Sequence, residues 1–151
     1  MITPRYYTIK SGRGEGSSPL VAFDNALLNA EIGDYNLVRV SSILPPNCCF
    51  KESIDIKKGS VVFAAYAQLT IRGNETGSTA VGIALPANNN ENGVIFEVCS
   101  HRNDADRIVR KMCTEAMNNR NRRIIEIISS SMIIEGAPGK YVCGVSAVVM
   151  W

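Results

Sequence analysis

The stretch SVVFAAYAQLTIRGNETGSTAVGIALP, residues 60–86, decides the fold class. Residues 60–72 are rich in valine, aromatic and threonine side chains, which suit a pleated strand. Gly73-Asn74-Glu75-Thr76-Gly77 is a turn, and 78–86 returns as a second strand, so the spacing predicts a hairpin. VVFAA lacks clean alternation, as does VSAVVM near the C-terminus. Strands apolar on both faces need cover on both sides, from helices or from neighbouring subunits.

Outward from this hairpin, VIFEVC (94–99) is a further strand after a polar loop, Ala87–Asn92. YNLVRVSSIL (35–44) reads as one strand stopped by Pro45-Pro46, since neither proline can donate to a ladder. RYYTIK (5–10) is a short alternating strand. SGRGEGSS (11–18) reads as a flexible or partner-facing loop; it lacks the Lys-Ser/Thr ending of a phosphate-binding loop and the spacing of a dinucleotide fingerprint. Ser18-Pro19 starts a helix over 19–30, whose face of Leu20, Phe23, Leu27 and Ala30 should be buried, with Asp24 at its border. Asn103 is the expected cap of a second helix, with a stripe of Ala105, Ile108, Val109, Met112, Ala116 and Met117. RIIEIISSSMII (123–134) and KYVCGVSAVVM (140–150) are two final strands around Gly136-Ala137-Pro138-Gly139. The order β-α-β-(β-β-β)-α-β-β describes a single α+β domain over residues 1–151 with a mainly antiparallel sheet.

Composition narrows the function. Of 151 residues, 46% are hydrophobic and 20% charged, so a packed core is expected rather than disorder. A net charge of +2 argues for neither nucleic acid nor a membrane surface. Arg120, Arg122 and Arg123 form a basic stretch without the interleaved aromatics of a base-stacking surface. No apolar run approaches 18 residues and no N-terminal apolar segment suggests a signal, so a soluble, cytoplasmic protein is expected. Five cysteines with one adjacent pair and no CxxC, and a single histidine, argue against a disulfide framework and against a metal site. Cys99 and His101 would share a strand face, which leaves a nucleophile–base pair open but unoriented. Taken alone, Ser41-Ser42 is only a pair of hydroxyls at a strand end.

The surroundings of that pair carry more. AFDNALLNAEIGDYNLVRVSSILPP (22–46) closely resembles the core segment of the pyruvoyl-dependent arginine decarboxylases. The likeness continues through AAYAQLTIRGNETGSTAVGIALP, GVIFEVCS, VRKMCTEAM and CGVSAVVMW, and is weaker over 1–15, 47–59 and 87–92. The resemblance implies an αββα sandwich with mainly antiparallel sheets, similar to pyruvoyl-dependent histidine decarboxylase, assembled as a homotrimer with its active site at a subunit interface. It implies self-cleavage into 1–41 and 42–151: Oγ of Ser42 attacks the carbonyl of Ser41, the amide becomes an ester, and β-elimination and hydrolysis leave a pyruvoyl group at position 42. That covalent cofactor would form a Schiff base with the α-amine of L-arginine and act as the electron sink for loss of CO2, yielding agmatine.

The same resemblance assigns roles to four further residues. Glu97, a carboxyl inside an apolar run, is the expected proton donor. Asn36 is the expected active-site asparagine that assists cleavage or positions the new carbonyl. Asp24 is expected to meet the guanidinium, which a carboxylate can take through two parallel hydrogen bonds. Ser41 becomes a new C-terminus near the pocket. A pyruvoyl decarboxylase for another amino acid and a non-catalytic trimeric scaffold are the competing readings. Cys48-Cys49, after the prolines, departs from the family pattern and bears on the pocket rim.

Overall fold

The computed structural model describes residues 2–151. Nine strands and two helices follow in the order β1 (Tyr6–Gly16), α1 (Pro19–Asn29), β2 (Asn36–Arg39), β3 (Ile43–Leu44), β4 (Cys49–Phe50), β5 (Val61–Arg72), β6 (Thr76–Pro86), β7 (Gly93–Ser100), α2 (Ala105–Asn119), β8 (Ile124–Glu135) and β9 (Tyr141–Met150). One sheet has the order β2-β5-β9-β1-β4 and the other β3-β7-β6-β8. The four-stranded sheet is antiparallel throughout; the five-stranded sheet is antiparallel at its centre and parallel at the β1–β4 and β2–β5 edges. The sheets stack face to face through β5 against β6 and β8 against β9, with α1 outside the larger sheet and α2 outside the smaller. This is an αββα sandwich of the α+β class.

The stacking explains the strands without alternation. Cys143, Val145, Ala147 and Val149 of β9 pack with Ala22, Ala26 and Ala30 of α1. Val148 and Met150 on the other face pack with Val81, Ile83 and Ile95 of the opposite sheet. The chain's own helices and sheets therefore cover both faces. Inside the sandwich, buried and half-buried hydroxyls pair rather than stand alone: Ser11 Oγ lies 2.7 Å from Ser130 Oγ and 2.9 Å from Ser146 Oγ, and Ser146 Oγ lies 2.9 Å from Thr79 Oγ1.

Several expectations are corrected. The stretch 60–86 is not a hairpin: β5 and β6 lie in different sheets, and the turn at Gly73 carries the chain from one to the other. The break at 136–139 likewise crosses from β8 to β9. In both cases stacking buries an inner face of each strand that pairing edge to edge would leave for other elements to cover. SGRGEGSS is not a loop, because β1 runs through Gly16 and pairs with β9 from Tyr7 to Gly16. Glycine is required there by proximity: a Cβ on Gly14 would sit 2.2 Å from the backbone nitrogen of Ala26, and Gly12 and Gly16 meet α1 as closely. The fully buried face of α1 is accordingly the small one, Ala22, Ala26 and Ala30; of the expected face Phe23 and Leu27 pack half-buried against the same core, and only Leu20 departs, 75% exposed. Residues 35–44 are two strands in two sheets, and α2 is capped from Asp104 rather than Asn103, without a side-chain cap bond.

Candidate active site

The split in residues 35–44 builds the site. β2 runs parallel to β5 as far as Arg39, and the Val40 N–H still donates to the Ala64 carbonyl at 3.1 Å. The chain then leaves the five-stranded sheet, and Ile43–Leu44 joins the other sheet beside β7. Ser41 and Ser42 are the step between the sheets. Pro45-Pro46 ends β3, and Asn47 turns the chain with a φ of 58°.

Three hydrogen bonds hold this step. The Ile95 N–H donates to the Ser42 carbonyl at 2.9 Å, and the Ile43 N–H donates to the Ser41 carbonyl at 2.9 Å. Ser42 Oγ donates to Glu97 Oε2 at 3.3 Å. Glu97 lies on β7 opposite Val81, on the face that Ile95 turns into the space between the sheets; Phe96 and Val98, which flank it in sequence, pack toward α2. Glu97 is therefore a half-buried inward carboxylate, not an outward one. A cleft of about 180 Å3 opens beside the step, walled by Val40, Ser41, Ile43, Pro45, Phe63 and Met150.

Asn36 and Asp24 stand elsewhere in the chain. Asn36 begins β2, exposed, with Nδ2 donating to the Gly59 carbonyl at 2.8 Å. Four residue steps carry the chain from it to Val40, about 13 Å at the usual strand rise. Asp24 is exposed on α1, on the far side of the larger sheet from Glu97. Its neighbour Phe23 stacks on Tyr66 at 6.1 Å, and the guanidinium of Arg39 lies 4.2 Å over the same Tyr66 ring. The structure thus brings Ser41, Ser42 and Glu97 together and leaves Asn36 and Asp24 apart within one chain. The backbone donors of Ile43 and Ile95 and the Phe63 and Met150 walls carry no side-chain signal in the sequence; they follow from strand register alone.

Other reactive groups are not assembled into a site. Cys99 and His101 are both exposed, and no hydrogen bond joins them among the described residues. Burial pushes the Cys48 thiol up to about 11, helped by Cys49, so the cysteine nearer the step is held as a neutral thiol. No group of three His, Cys, Asp or Glu side chains that could hold a metal occurs among the described residues. Nor is any described helix long and apolar enough to cross a membrane.

The sandwich, with a serine pair at the sheet-to-sheet step, belongs to a known fold. A solved structure of pyruvoyl-dependent histidine decarboxylase at pH 8 matches it with a TM-score of 0.52 at 10% identity, over 66% of this chain and 54% of that one. The match defines the fold class. Sequence goes further: residues 6–151 match the model of the pyruvoyl-dependent arginine decarboxylases. The curated pyruvoyl-dependent arginine decarboxylase of Methanocaldococcus jannaschii is 34% identical over 98% of this chain and 90% of its own length. Those of Pyrococcus abyssi (34%, over 99% of this chain and 96% of the relative) and Methanopyrus kandleri (32%, over 100% and 99%) are similarly close. The chain belongs to the pyruvoyl-dependent arginine decarboxylase family. Membership implies a covalently bound pyruvoyl cofactor, and the chain's own residues fit one: a serine hydroxyl lies against a carboxylate, with the carbonyls on both sides of the Ser41–Ser42 link already hydrogen-bonded.

Proposed function

We propose that this protein decarboxylates L-arginine to agmatine and CO2, on a pyruvoyl group that it makes from Ser42 by cleaving its own Ser41–Ser42 bond. The observation that carries this reading is the contact between Ser42 Oγ and Glu97 at the step between the sheets. Oγ adds to the Ser41 carbonyl and converts the amide to an ester. β-Elimination then releases residues 1–41 as a carboxylate, and water removes the nitrogen of residue 42 as ammonia. The pyruvoyl group supplies an electron sink for the bond to CO2 when a substrate amine is joined to it.

Each remaining residue has a task of its own. Glu97 receives the Ser42 hydroxyl before cleavage, and afterwards faces the emptied position, where it delivers a proton to the carbon that has lost CO2. Asp24 takes the guanidinium, and Asn36 orients the carbonyl end of the site. Neither reaches Ser42 in its own chain, so both act on the site of a neighbouring copy in a homotrimer. The exposed apolar side chains beside them, Leu20 and Leu28 on α1 and Val38 and Val61 at the β2 edge, fit such an interface.

Intact-mass measurement and agmatine assay test this together. Two chains summing to the precursor plus one water and less one ammonia, with agmatine formed from arginine and no CO2 released from a panel of other amino acids, is the expected result. Ser42→Ala should abolish both cleavage and turnover. Agmatine production by an uncleaved chain would refute the reading.

A further inference from the structure

Self-cleavage as proposed above puts negative charge on one atom, the Ser41 carbonyl oxygen, when Ser42 Oγ adds to its carbon. A donor already aimed at that oxygen lowers the barrier without reorganising as the charge develops. The Ile43 N–H is such a donor, 2.9 Å from the Ser41 oxygen, across a three-residue turn centred on Ser42. Its aim follows from the fold. The Ser42 carbonyl and the Ile43 N–H belong to one planar trans peptide unit, so they point in opposite directions. The carbonyl end is pinned to β7 by the Ile95 N–H at 2.9 Å, and Ile43 itself is registered opposite Val94. With one end of the plane fixed to the smaller sheet, the other end points back at the bond to be broken.

We propose that the Ile43 backbone N–H is the oxyanion donor of self-cleavage and that the Ile95 N–H is the positioning group that aims it. As the Oγ–C bond forms, the carbonyl π pair moves to the Ser41 oxygen and the Ile43 hydrogen bond strengthens. When the pair returns, the C–N bond breaks and the hydroxyl proton ends on the departing Ser42 nitrogen. Atoms balance without a further reactant. The donor is a backbone group, so side-chain scanning does not reveal it.

Cell-free translation of the full chain can install the α-hydroxy analogue of isoleucine at position 43, which replaces that N–H by an ester oxygen. The half-time for release of residues 1–41 should lengthen by about 100-fold, the usual effect of deleting one oxyanion donor. The same exchange at exposed Lys111 in α2 removes an ordinary helical N–H and should leave the half-time unchanged. Cleavage of the position-43 ester chain within threefold of the parent rate overturns the assignment. A parent chain that never cleaves overturns the self-cleavage reading instead, so the two failures are distinct. Should the ester chain not fold, the uncleavable Ser42→Ala chain is labelled with 13C at the Ser41 carbonyl and 15N at Ile43. A through-hydrogen-bond coupling between the two nuclei supports the assignment, and its absence in the folded chain overturns it.

Discussion

Replacing Gly14 by alanine tests the packing on which the whole larger sheet depends. The added Cβ would lie 2.2 Å from the Ala26 nitrogen, 2.5 Å from the Asn25 carbonyl carbon and 2.6 Å from the Ala22 oxygen. All three are helix backbone, which cannot swing aside as a side-chain tip can. Restoring ordinary contact from 2.2 Å to about 3.4 Å moves α1 outward by roughly 1.2 Å. A gap of that size strips much of the dispersion contact from Ala22, Ala26 and Ala30, which are 0%, 0% and 1% exposed. Together these effects place the cost at about 2–3 kcal/mol, the upper part of the overpacking range. For a chain of this length that corresponds to roughly 4–12 °C in Tm. Urea unfolding in the uncleavable Ser42→Ala background, where the chain is a single covalent unit, measures it. Gly139→Ala is the contrast: that glycine has a φ of 70° and no atom within 4 Å of the added Cβ, so its cost is conformational, about 1 kcal/mol. Asparagine, which tolerates the left-handed region, should recover part of the loss at 139 and none at 14. A Gly14→Ala cost below about 0.5 kcal/mol, or a larger loss at Gly139, refutes the close-approach reasoning.

Five further outcomes are expected. Glu97→Gln keeps an amide oxygen to accept the Ser42 hydroxyl, so cleavage should proceed while decarboxylation falls by about 10²–10⁴-fold, measured as agmatine formed by the fully cleaved protein. Asp24→Asn should lower kcat/KM for arginine by about 10–100-fold through loss of a charged hydrogen-bond pair. Coexpressing Asp24→Asn with Ser42→Ala chains should restore activity above either alone, and no recovery would argue against a shared site. Burial pushes the Cys113 thiol up to about 11 from an ordinary 9.0, so its contribution to stability is complete below pH 9 and is lost as pH rises toward 11; the stability difference between parent and Cys113→Ala should shrink across that window in urea titrations. In thiol labelling of the native protein, exposed Cys49 and Cys99 should react well before Cys48, Cys113 and Cys143, as read by peptide mass spectrometry.

Much of the layering was legible in the residues, and the connections were not. β5, β6 and β9 are apolar on both faces, which correctly requires cover on both sides. A short polar turn such as 73–75 serves equally to pair two strands or to pass between two sheets, and only the competition among all strands for partners decides. The glycines of β1 mislead by propensity, since glycine weakens an isolated strand. Their spacing of two, against alanines spaced by four at 22, 26 and 30, is the signal of close contact in hindsight. Ser42 and Glu97 are 55 residues apart, and their meeting depends on the register of β3 on β7. Family resemblance singled out both residues; periodicity alone ranks Glu97 as an outward side chain because Phe96 and Val98 flank it. Asp24 and Asn36 show the remaining limit: the resemblance names both as site residues, and nothing in their spacing says that they lie apart from Ser42 within one chain.

The step at Ser41–Ser42 has a consequence for the life of the molecule. Its geometry needs both sheets, since one side is held by Ala64 and the other by Ile95. Under the proposed self-cleavage, bond breaking there could begin only when the two halves of the sandwich have found each other, and the cut would be a timestamp of completed folding. In the processed form so proposed, residues 1–41 would keep β1 between β9 and β4, locked in place with no covalent tie. Unfolding would then release two separate polymers, and regaining the native state becomes a second-order encounter that dilution opposes. Cleavage of this kind would be a one-way gate: the precursor would sample an equilibrium, while the mature particle would persist by the slowness of its disassembly.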